Sequence, residues 1–156
     1  MIIRKQLTRD KALERARSYC RYQQRSHSEV KEKLYSFSLR KKDVEELMAQ
    51  LIEEKYLNEE DFAIAFARGK FRMKQWGKVK IKYELKLKKI SEYCINKALK
   101  EIDRKDYQQT FEKLAAKKLQ SLKSEKNIFI KKRKLQDYLM QKGFENELIK
   151  NIVSTI

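Results

Sequence analysis

The side chains with the clearest chemistry in this sequence are cations that lie among aromatic residues. Residues 68–89 contain ten basic side chains and one acidic side chain, and Phe71, Trp76 and Tyr83 lie among them. Ammonium and guanidinium groups bind phosphates, and aromatic rings stack on exposed bases, so this composition is typical of a nucleic-acid-binding surface. The candidate contacts in this segment are Arg68, Lys70, Arg72, Lys74, Lys78, Lys80 and Lys82.

The three aromatic residues also have a structural interpretation. Rings at these spacings belong in the core of a helical protein, where the lysine stems would pass over them to reach water. We favour this interpretation for the rings. For the charges we favour contact with a polyanion, because so many like charges in one short segment destabilise a fold that has no partner.

Two further segments are unbalanced in charge. Residues 113–134 carry nine basic side chains against one acid, whereas residues 43–61 carry eight acids against one lysine. Because the charge is segregated, we expect a polyanionic partner and, in addition, a basic protein surface that meets the acidic segment. Solvated helix faces are the alternative for any one segment. The candidates added here are the basic residues Lys131, Lys132 and Arg133 and the acidic residues Glu45, Glu46, Glu53 and Glu54.

The sequence offers no catalytic or metal-binding constellation. The single histidine, His27, follows Ser26 in a Ser-x-x-Glu pattern, where it belongs to a helix cap. Cys20 and Cys94 have no zinc-site spacing and are expected to be buried free thiols in a reducing cytosol. The paired carboxylates fall on a predicted helix, where solvation explains them. We therefore expect a binding protein, not an enzyme, with no cofactor.

No segment approaches the roughly 18 apolar residues that span a bilayer, and the N-terminal residues lack the apolar core of a signal peptide. These features predict a soluble, cytoplasmic protein with no membrane partner.

Helices are the elements expected to position these side chains. The 156 residues include no proline and only three glycines, and such a chain has little from which to build β-turns. One pattern recurs three times, with apolar residues five positions apart, and near-constant offsets of 51 and 54 residues between copies mark an internal repeat. The three copies are Leu34, Leu39 and Val44; Leu85, Ile90 and Ile95; and Leu139, Phe144 and Ile149.

We therefore predict an all-α fold of three tandem three-helix repeats, each resembling a helix-turn-helix unit, in an elongated, curved array. Residues 76–90 alternate like a strand, but the other two copies do not, so a helix is predicted there as well. Ser26 and Asn58 are predicted N-caps, Ser26 within a capping box in which Glu29 reaches back to it. Gly77 is predicted to end the fourth helix, and Gly143 to be a left-handed C-cap. The predicted divisions are an N-terminal arm at 1–9 and repeats at 10–57, 58–104 and 105–156.

Two smaller expectations concern flexibility. Gly69, inside the predicted fourth helix, costs about 1 kcal/mol relative to alanine, so it either permits close packing or is merely tolerated. The polar residues 121–126 have no apolar periodicity and are the best candidate for a hinge.

Four motifs, in this order and spacing, resemble the RecX family. They are Arg25-Ser26-x-x-Glu29-Val30-x-x-Lys33-Leu34, Tyr56-Leu57-Asn58-Glu59-x-x-Phe62-Ala63, Trp76-Gly77-x-x-x-Ile81-x-x-Glu84-Leu85 and Lys142-Gly143-Phe144. The resemblance extends from about residue 12 to residue 153. Ser38 stands where the family usually has glycine, and Lys78 where it usually has proline, which leaves open whether the contacts of those two turns are kept.

The resemblance implies a curved array of three-helix repeats in the bacterial cytoplasm. It also implies a regulator that binds in the groove of the RecA–DNA filament and negatively modulates recombinase, ATPase and DNA-repair activity. The expected partners are the RecA filament and the single- or double-stranded DNA within it, and we expect the chain to be a monomer. The alternatives are a basic helix-turn-helix-like protein that binds naked DNA or RNA directly, and a scaffold whose charge serves only solubility.

Overall fold

The computed structural model describes residues 6–156, and in that range nine α-helices and no strand are present. A π-helical turn, Lys70–Lys74, directly follows the fourth helix. The helices are α1 (Arg9–Tyr22), α2 (His27–Tyr35), α3 (Lys41–Glu53), α4 (Glu59–Gly69), α5 (Lys78–Leu87), α6 (Glu92–Lys100), α7 (Arg104–Ser121), α8 (Ile128–Lys142) and α9 (Asn146–Ser154). Residues 1–5 of the predicted arm lie outside the described residues.

Side-chain caps explain where most of these helices begin. Thr8, Ser26, Asn58, Ser91, Asp103 and Asn127 each accept a hydrogen bond from a backbone N–H in the first turn that follows, which satisfies a donor that has no partner inside the helix. The predicted caps at Ser26 and Asn58 are thus confirmed. The other contact predicted for the capping box, from Glu29 back to Ser26, is wrong. The Glu29 carboxylate instead forms an ion pair with Lys88, at 2.9 Å.

The apolar pattern that recurs in the sequence builds the core. All nine of its residues are buried, so the internal repeat and the helix predicted at 76–90 are confirmed. Helices α1–α3 enclose one core, and α4–α9 enclose a second core that is continuous across the two later repeats. The curvature and the exact repeat boundaries remain predictions.

Backbone contacts join the second repeat to the third. The N–H of Gly77 donates to the Lys142 carbonyl at 2.8 Å, and the N–H of Val79 donates to the Gly143 carbonyl at 2.9 Å. A Cβ on Gly77 would lie closer than 3.0 Å to Gly143. The prediction that Gly77 ends the fourth helix is wrong: Gln75, with a left-handed φ of 56°, ends it, and Gly77 is the N-cap of α5.

The other two glycines, Gly143 and Gly69, differ in whether their position requires glycine. Gly143 has a φ of 92° and ends α8 as the predicted left-handed C-cap, and the next residue, Phe144, is buried against the core. A Cβ on Gly69 would meet no atom within 4 Å. Gly69 therefore serves no close packing and is merely tolerated.

Fewer contacts join the first repeat to the second. Among the described residues, the polar links across this junction are a hydrogen bond from the Ser28 hydroxyl to the Lys88 carbonyl, at 3.2 Å, and the Glu29–Lys88 ion pair. A cleft of about 570 Å³ lies beside these links. The first repeat, with its own core, is therefore a separate packing unit.

Candidate functional site: the basic middle helix and its surroundings

The basic residues predicted in the middle repeat lie along the end of α4, the π turn and α5. Arg68 is exposed, 3.9 Å from Glu101, and Arg72 and Lys74 project freely from the π turn. The other four, Lys70, Lys78, Lys80 and Lys82, are half-buried. Within the described part of the chain, Arg68 is the only one of these seven with a carboxylate inside 4.0 Å. Most of the positive charge of this segment is thus uncompensated.

Aromatic rings, not carboxylates, position three of these lysines. The Nζ atoms of Lys70 and Lys80 lie 5.0 Å and 4.6 Å from the centroid of the Trp76 ring. The Nζ of Lys78 lies 4.9 Å from the Tyr107 ring. A cation over a ring face is attracted by the ring quadrupole but keeps its charge. The structure therefore gathers Lys70 and Lys80 around one half-buried indole.

The core interpretation of the aromatic residues is correct for two of the three. Phe71 is buried and Trp76 is half-buried, but Tyr83 is 60% exposed. The reason lies in the alternating apolar pattern of α5. On a helix, residues four apart share a face and residues two apart point in nearly opposite directions. Ile81 and Leu85 therefore face the core, and Tyr83 faces away from it.

This geometry produces an apolar stripe on the outer face of α5, which we call the middle stripe: Val79, Tyr83 and Leu87. The three side chains are 52%, 60% and 61% exposed, and Lys82 and Lys86 flank them in the sequence. In the register of the repeats, the corresponding positions are all polar elsewhere. They are Ser28 and Glu32 in α2, Ser36 at the C-cap of α2, and Arg133, Asp137 and Gln141 in α8.

The N-terminus of α5, by contrast, is occupied by the third repeat. The N–H of Lys78 donates to the Tyr107 oxygen at 2.9 Å, and the Tyr107 hydroxyl donates to the Glu145 carboxylate. Burial, and then the bond to Glu145, raise the pKa of Tyr107 well above its ordinary value. Because its N–H groups already have partners, this helix end has no free donors with which to bind a phosphate.

The basic residues predicted in the third repeat lie near the start of α8. Lys131 and Lys132 are half-buried and Arg133 is exposed. They follow Phe129, which is 79% exposed and was not among the predicted contacts. The run Ile128-Phe129-Ile130 could have revealed an exposed ring, since three consecutive apolar residues on a helix cannot all face one core.

The acidic residues lie on and just after α3, where part of their charge is balanced within the first repeat. Glu46 pairs with Arg9 at 2.7 Å, and Glu54 pairs with Arg17 at 2.7 Å. The Arg17 bond holds the pKa of Glu54 below its ordinary value. Glu45 lies 3.9 Å from Lys41, and Glu53 is exposed. Contact of this surface with another protein stays a prediction.

The described residues contain no group of three or more His, Cys, Asp or Glu side chains that could hold a metal ion. Across the same residues, none of the helices combines the length and the apolar character that crossing a membrane requires.

Comparison with known proteins places this architecture in a family. The family model described as RecX, second three-helix domain, matches residues 58–99, and the model described as RecX, third three-helix domain, matches residues 105–153. Together they cover more than half of the chain. The regulatory protein RecX of Bacillus cytotoxicus is 31% identical over 140 residues, which are 89% of this chain and 51% of that protein. The regulatory protein RecX of Oceanobacillus iheyensis is 30% identical over 132 residues, 85% of this chain and 48% of that protein.

Solved structures agree with the fold. The crystal structure of RecX from Lactobacillus salivarius is similar with a TM-score of 0.82 and 26% identity, and covers 94% of this chain and 95% of that one. A crystal structure of regulatory protein RecX has a TM-score of 0.83 at 23% identity, over 95% of this chain and 72% of that one. The chain spans about half the length of the curated relatives it matches. Since both domain models match in order and fall on the second and third repeats of the structure, the chain belongs to the RecX family.

Proposed function

We propose that this chain is a regulator, not an enzyme, that binds in the groove of the RecA–DNA filament and negatively modulates recombinase, ATPase and DNA-repair activity. The proposed setting is the bacterial cytoplasm. The regulatory role follows the relatives, which are named regulatory protein RecX. The RecA filament and the direction of the effect come from the family resemblance.

The middle stripe is the main observation that supports binding to a protein partner. Val79, Tyr83 and Leu87 lie on one helix face and remain half-exposed, while the equivalent residues of the other repeats are polar. Full burial of one such side chain contributes about 1.5–3 kcal/mol, so burying the exposed half of all three would contribute about 3 kcal/mol. That is roughly a hundredfold in affinity. An elongated array of repeats also suits an extended filament groove better than a globule does.

The uncompensated lysines supply the second half of the proposed interface. Lys82 and Lys86 flank the middle stripe, and Lys70 and Lys80 gather at Trp76. A protein filament on DNA presents phosphates and protein surface next to one another. A face with an apolar stripe and free cations is complementary to both.

The basic residues differ in how cleanly they can be tested. The Lys80 Cβ packs against Gly143, and the Lys78 ammonium lies over Tyr107, so both belong to the junction with the third repeat. Reversing their charge, together with that of Lys82, would disturb this junction as well as a binding face. Lys82→Glu with Lys86→Glu is the cleaner charge reversal.

The experiment is a titration of the chain into RecA's DNA-dependent ATP hydrolysis and strand exchange at near-physiological salt, with binding to the naked DNA measured alongside. Inhibition at protein levels well below those that coat the DNA supports a filament regulator. Inhibition only when the DNA is saturated supports a competing DNA binder, and no effect contradicts the proposal.

A variant with serine at all three positions of the middle stripe sharpens the titration. It is expected to need much more protein for the same inhibition. Tyr93→Ser, on α6, removes a ring that is 68% exposed on the same repeat but outside the stripe, and it serves as the matched control.

Direct binding to naked DNA or RNA is the second candidate. The free lysines around Trp76 favour it, because rings and cations together suit single strands. Binding through the N-terminus of α5, as in a helix-turn-helix protein, is disfavoured, because the third repeat already occupies those N–H groups.

A further inference from the structure

The first repeat carries a second basic and aromatic surface, which lies outside the segments of unbalanced charge. Helices α1 and α2 and the turns that follow them form an open cleft of about 490 Å³. We call it the repeat-one cleft, and its walls include Arg15, Tyr19, Tyr22, Arg25, Lys33 and Phe37.

Contacts within the cleft fix one wall. The Arg25 Nε donates to the Tyr19 carbonyl at 3.1 Å, and the guanidinium carbon lies 3.7 Å from the centroid of the Tyr19 ring. The Nζ atom of Lys33, a residue of α2, lies 5.3 Å from the centroid of the same ring. Because Arg25 is held both by its bond and by its stacking, it presents its charge in one place, and little side-chain entropy remains to be lost on binding.

The cations of the cleft have no acidic partners. Among the described residues, no carboxylate lies within 4.0 Å of the charged groups of Arg15, Arg25 and Lys33. The one acid that lines the cleft, Glu14, pairs with Arg17 at 2.6 Å. Three cations and one acid therefore line an open volume, and its excess of positive charge attracts an anion.

Tyr22 indicates what kind of anion fits. Its side chain is 82% exposed near the mouth of the cleft, 5.9 Å from the Arg25 guanidinium. A ring with a free face beside several cations matches the way proteins hold single-stranded nucleic acid, in which bases stack on rings and phosphates meet the charges. A duplex keeps its base faces inside the stack, so it has no base face to offer the Tyr22 ring.

We propose that the repeat-one cleft binds single-stranded nucleic acid, with one base stacked on Tyr22 and the neighbouring phosphates on Arg15, Arg25 and Lys33. This deepens the proposed function, on which it rests for its setting, since a filament contains a strand of DNA. The test uses no RecA, so the cleft and the filament regulation can fail separately.

The test measures fluorescence anisotropy of a labelled oligo(dT) of about 16 nucleotides, the upper end of common single-strand site sizes, with the full chain. Stacking of one base on an aromatic ring is typically worth fivefold or more in affinity. Tyr22→Ala is therefore expected to weaken binding at least fivefold, and Tyr22→Phe, which keeps the ring, to bind like the wild type. The control Tyr93→Ala removes a comparably exposed ring from α6 and should change nothing.

Two further arms identify the ligand chemistry. An abasic oligonucleotide of the same length keeps the phosphates and should bind the wild type as weakly as oligo(dT) binds Tyr22→Ala. The double variant Arg15→Gln/Lys33→Gln should lower the slope of log affinity against log salt by about 1.4, for two lost phosphate contacts on a single strand. Oligo(U) in place of oligo(dT) tells whether the strand is RNA or DNA.

The proposal is overturned if the wild type does not bind, if Tyr22→Ala binds as well as the wild type, or if the abasic strand binds equally well. The last result would mean a site for any polyanion, acidic peptides included. Duplex DNA bound more tightly than the single strand at the same residues would overturn it too.

Discussion

Replacing Gly77 with alanine should break the junction between the second and third repeats. A Cβ at this position would lie closer than 3.0 Å to the carbonyl group of Gly143 and to the N atom of Phe144, a distance that real Cβ atoms essentially never show. All of these atoms belong to the backbone. Backbone cannot swing aside as a flexible side chain can, so the two repeats must move apart.

The magnitude follows from what the junction would lose. The hydrogen bonds at risk are Gly77 N–H to Lys142 O, at 2.8 Å, and Val79 N–H to Gly143 O, at 2.9 Å. Each such bond contributes about 1 kcal/mol, and a buried group left without a partner costs about 1–3 kcal/mol. Together they give a loss of about 3–5 kcal/mol in the free energy of unfolding, a large share of the 5–15 kcal/mol typical of a folded protein.

Urea titration followed by tryptophan fluorescence is the assay, because the single tryptophan, Trp76, directly precedes Gly77. Gly69→Ala is the matched control. It adds the same methyl group where no atom lies within 4 Å, at the end of α4, and should stabilise the protein by about 0.5–1 kcal/mol through helix propensity alone. Equal stabilities of the two variants would refute the reasoning.

Three further predictions concern single groups. Tyr107→Phe should lose about 1–3 kcal/mol in a urea titration, because the Glu145 carboxylate loses a buried donor. Since the pKa of Tyr107 is raised in the fold, its contribution is complete below about pH 10, the ordinary tyrosine pKa, and is lost at higher pH. The excess stability of wild type over Tyr107→Phe should therefore shrink above pH 10, and a constant excess would contradict this. Glu29→Gln, which removes the ion pair to Lys88, should lower overall stability by less than about 1 kcal/mol. The Glu29→Gln variant should nevertheless broaden the distribution of distances between one fluorophore in repeat one and another in repeat two. An unchanged distribution would contradict the inference that few contacts hold these two repeats together. Cys20, whose thiol pKa is raised by burial, should react with iodoacetamide at pH 8 more slowly than a free thiol does, and equal rates would exclude this.

Local patterns in the sequence were sufficient for the helices and the repeat. Caps such as Ser26 and Asn58 act within one turn, and the apolar residues of the repeat report burial through spacing alone. Gly143 was equally local, because a glycine after an amphipathic helix supplies the positive φ that ends it.

Contacts between distant residues could not be read in this way. The role of Gly77 depends on Gly143, which is 66 positions away, and the partner of Glu29 is Lys88, in another repeat. The repeat-one cleft was missed because its rings and cations are interspersed with other residues and converge only when α1 packs on α2. The basic residues were visible as charge, but which of them are free depended on the packing of the third repeat.

The most direct test of the central claim compares the affinity of this chain for RecA–DNA filaments with its affinity for the same DNA alone, at near-physiological salt. The proposal predicts tighter binding to the filament. It also predicts that replacing Val79, Tyr83 and Leu87 with serine removes most of the difference between the affinity for the filament and the affinity for naked DNA. Burial of the three side chains accounts for a difference of up to about a hundredfold. Equal affinity for filament and naked DNA, or a stripe variant that binds the filament as tightly as the wild type, would contradict it.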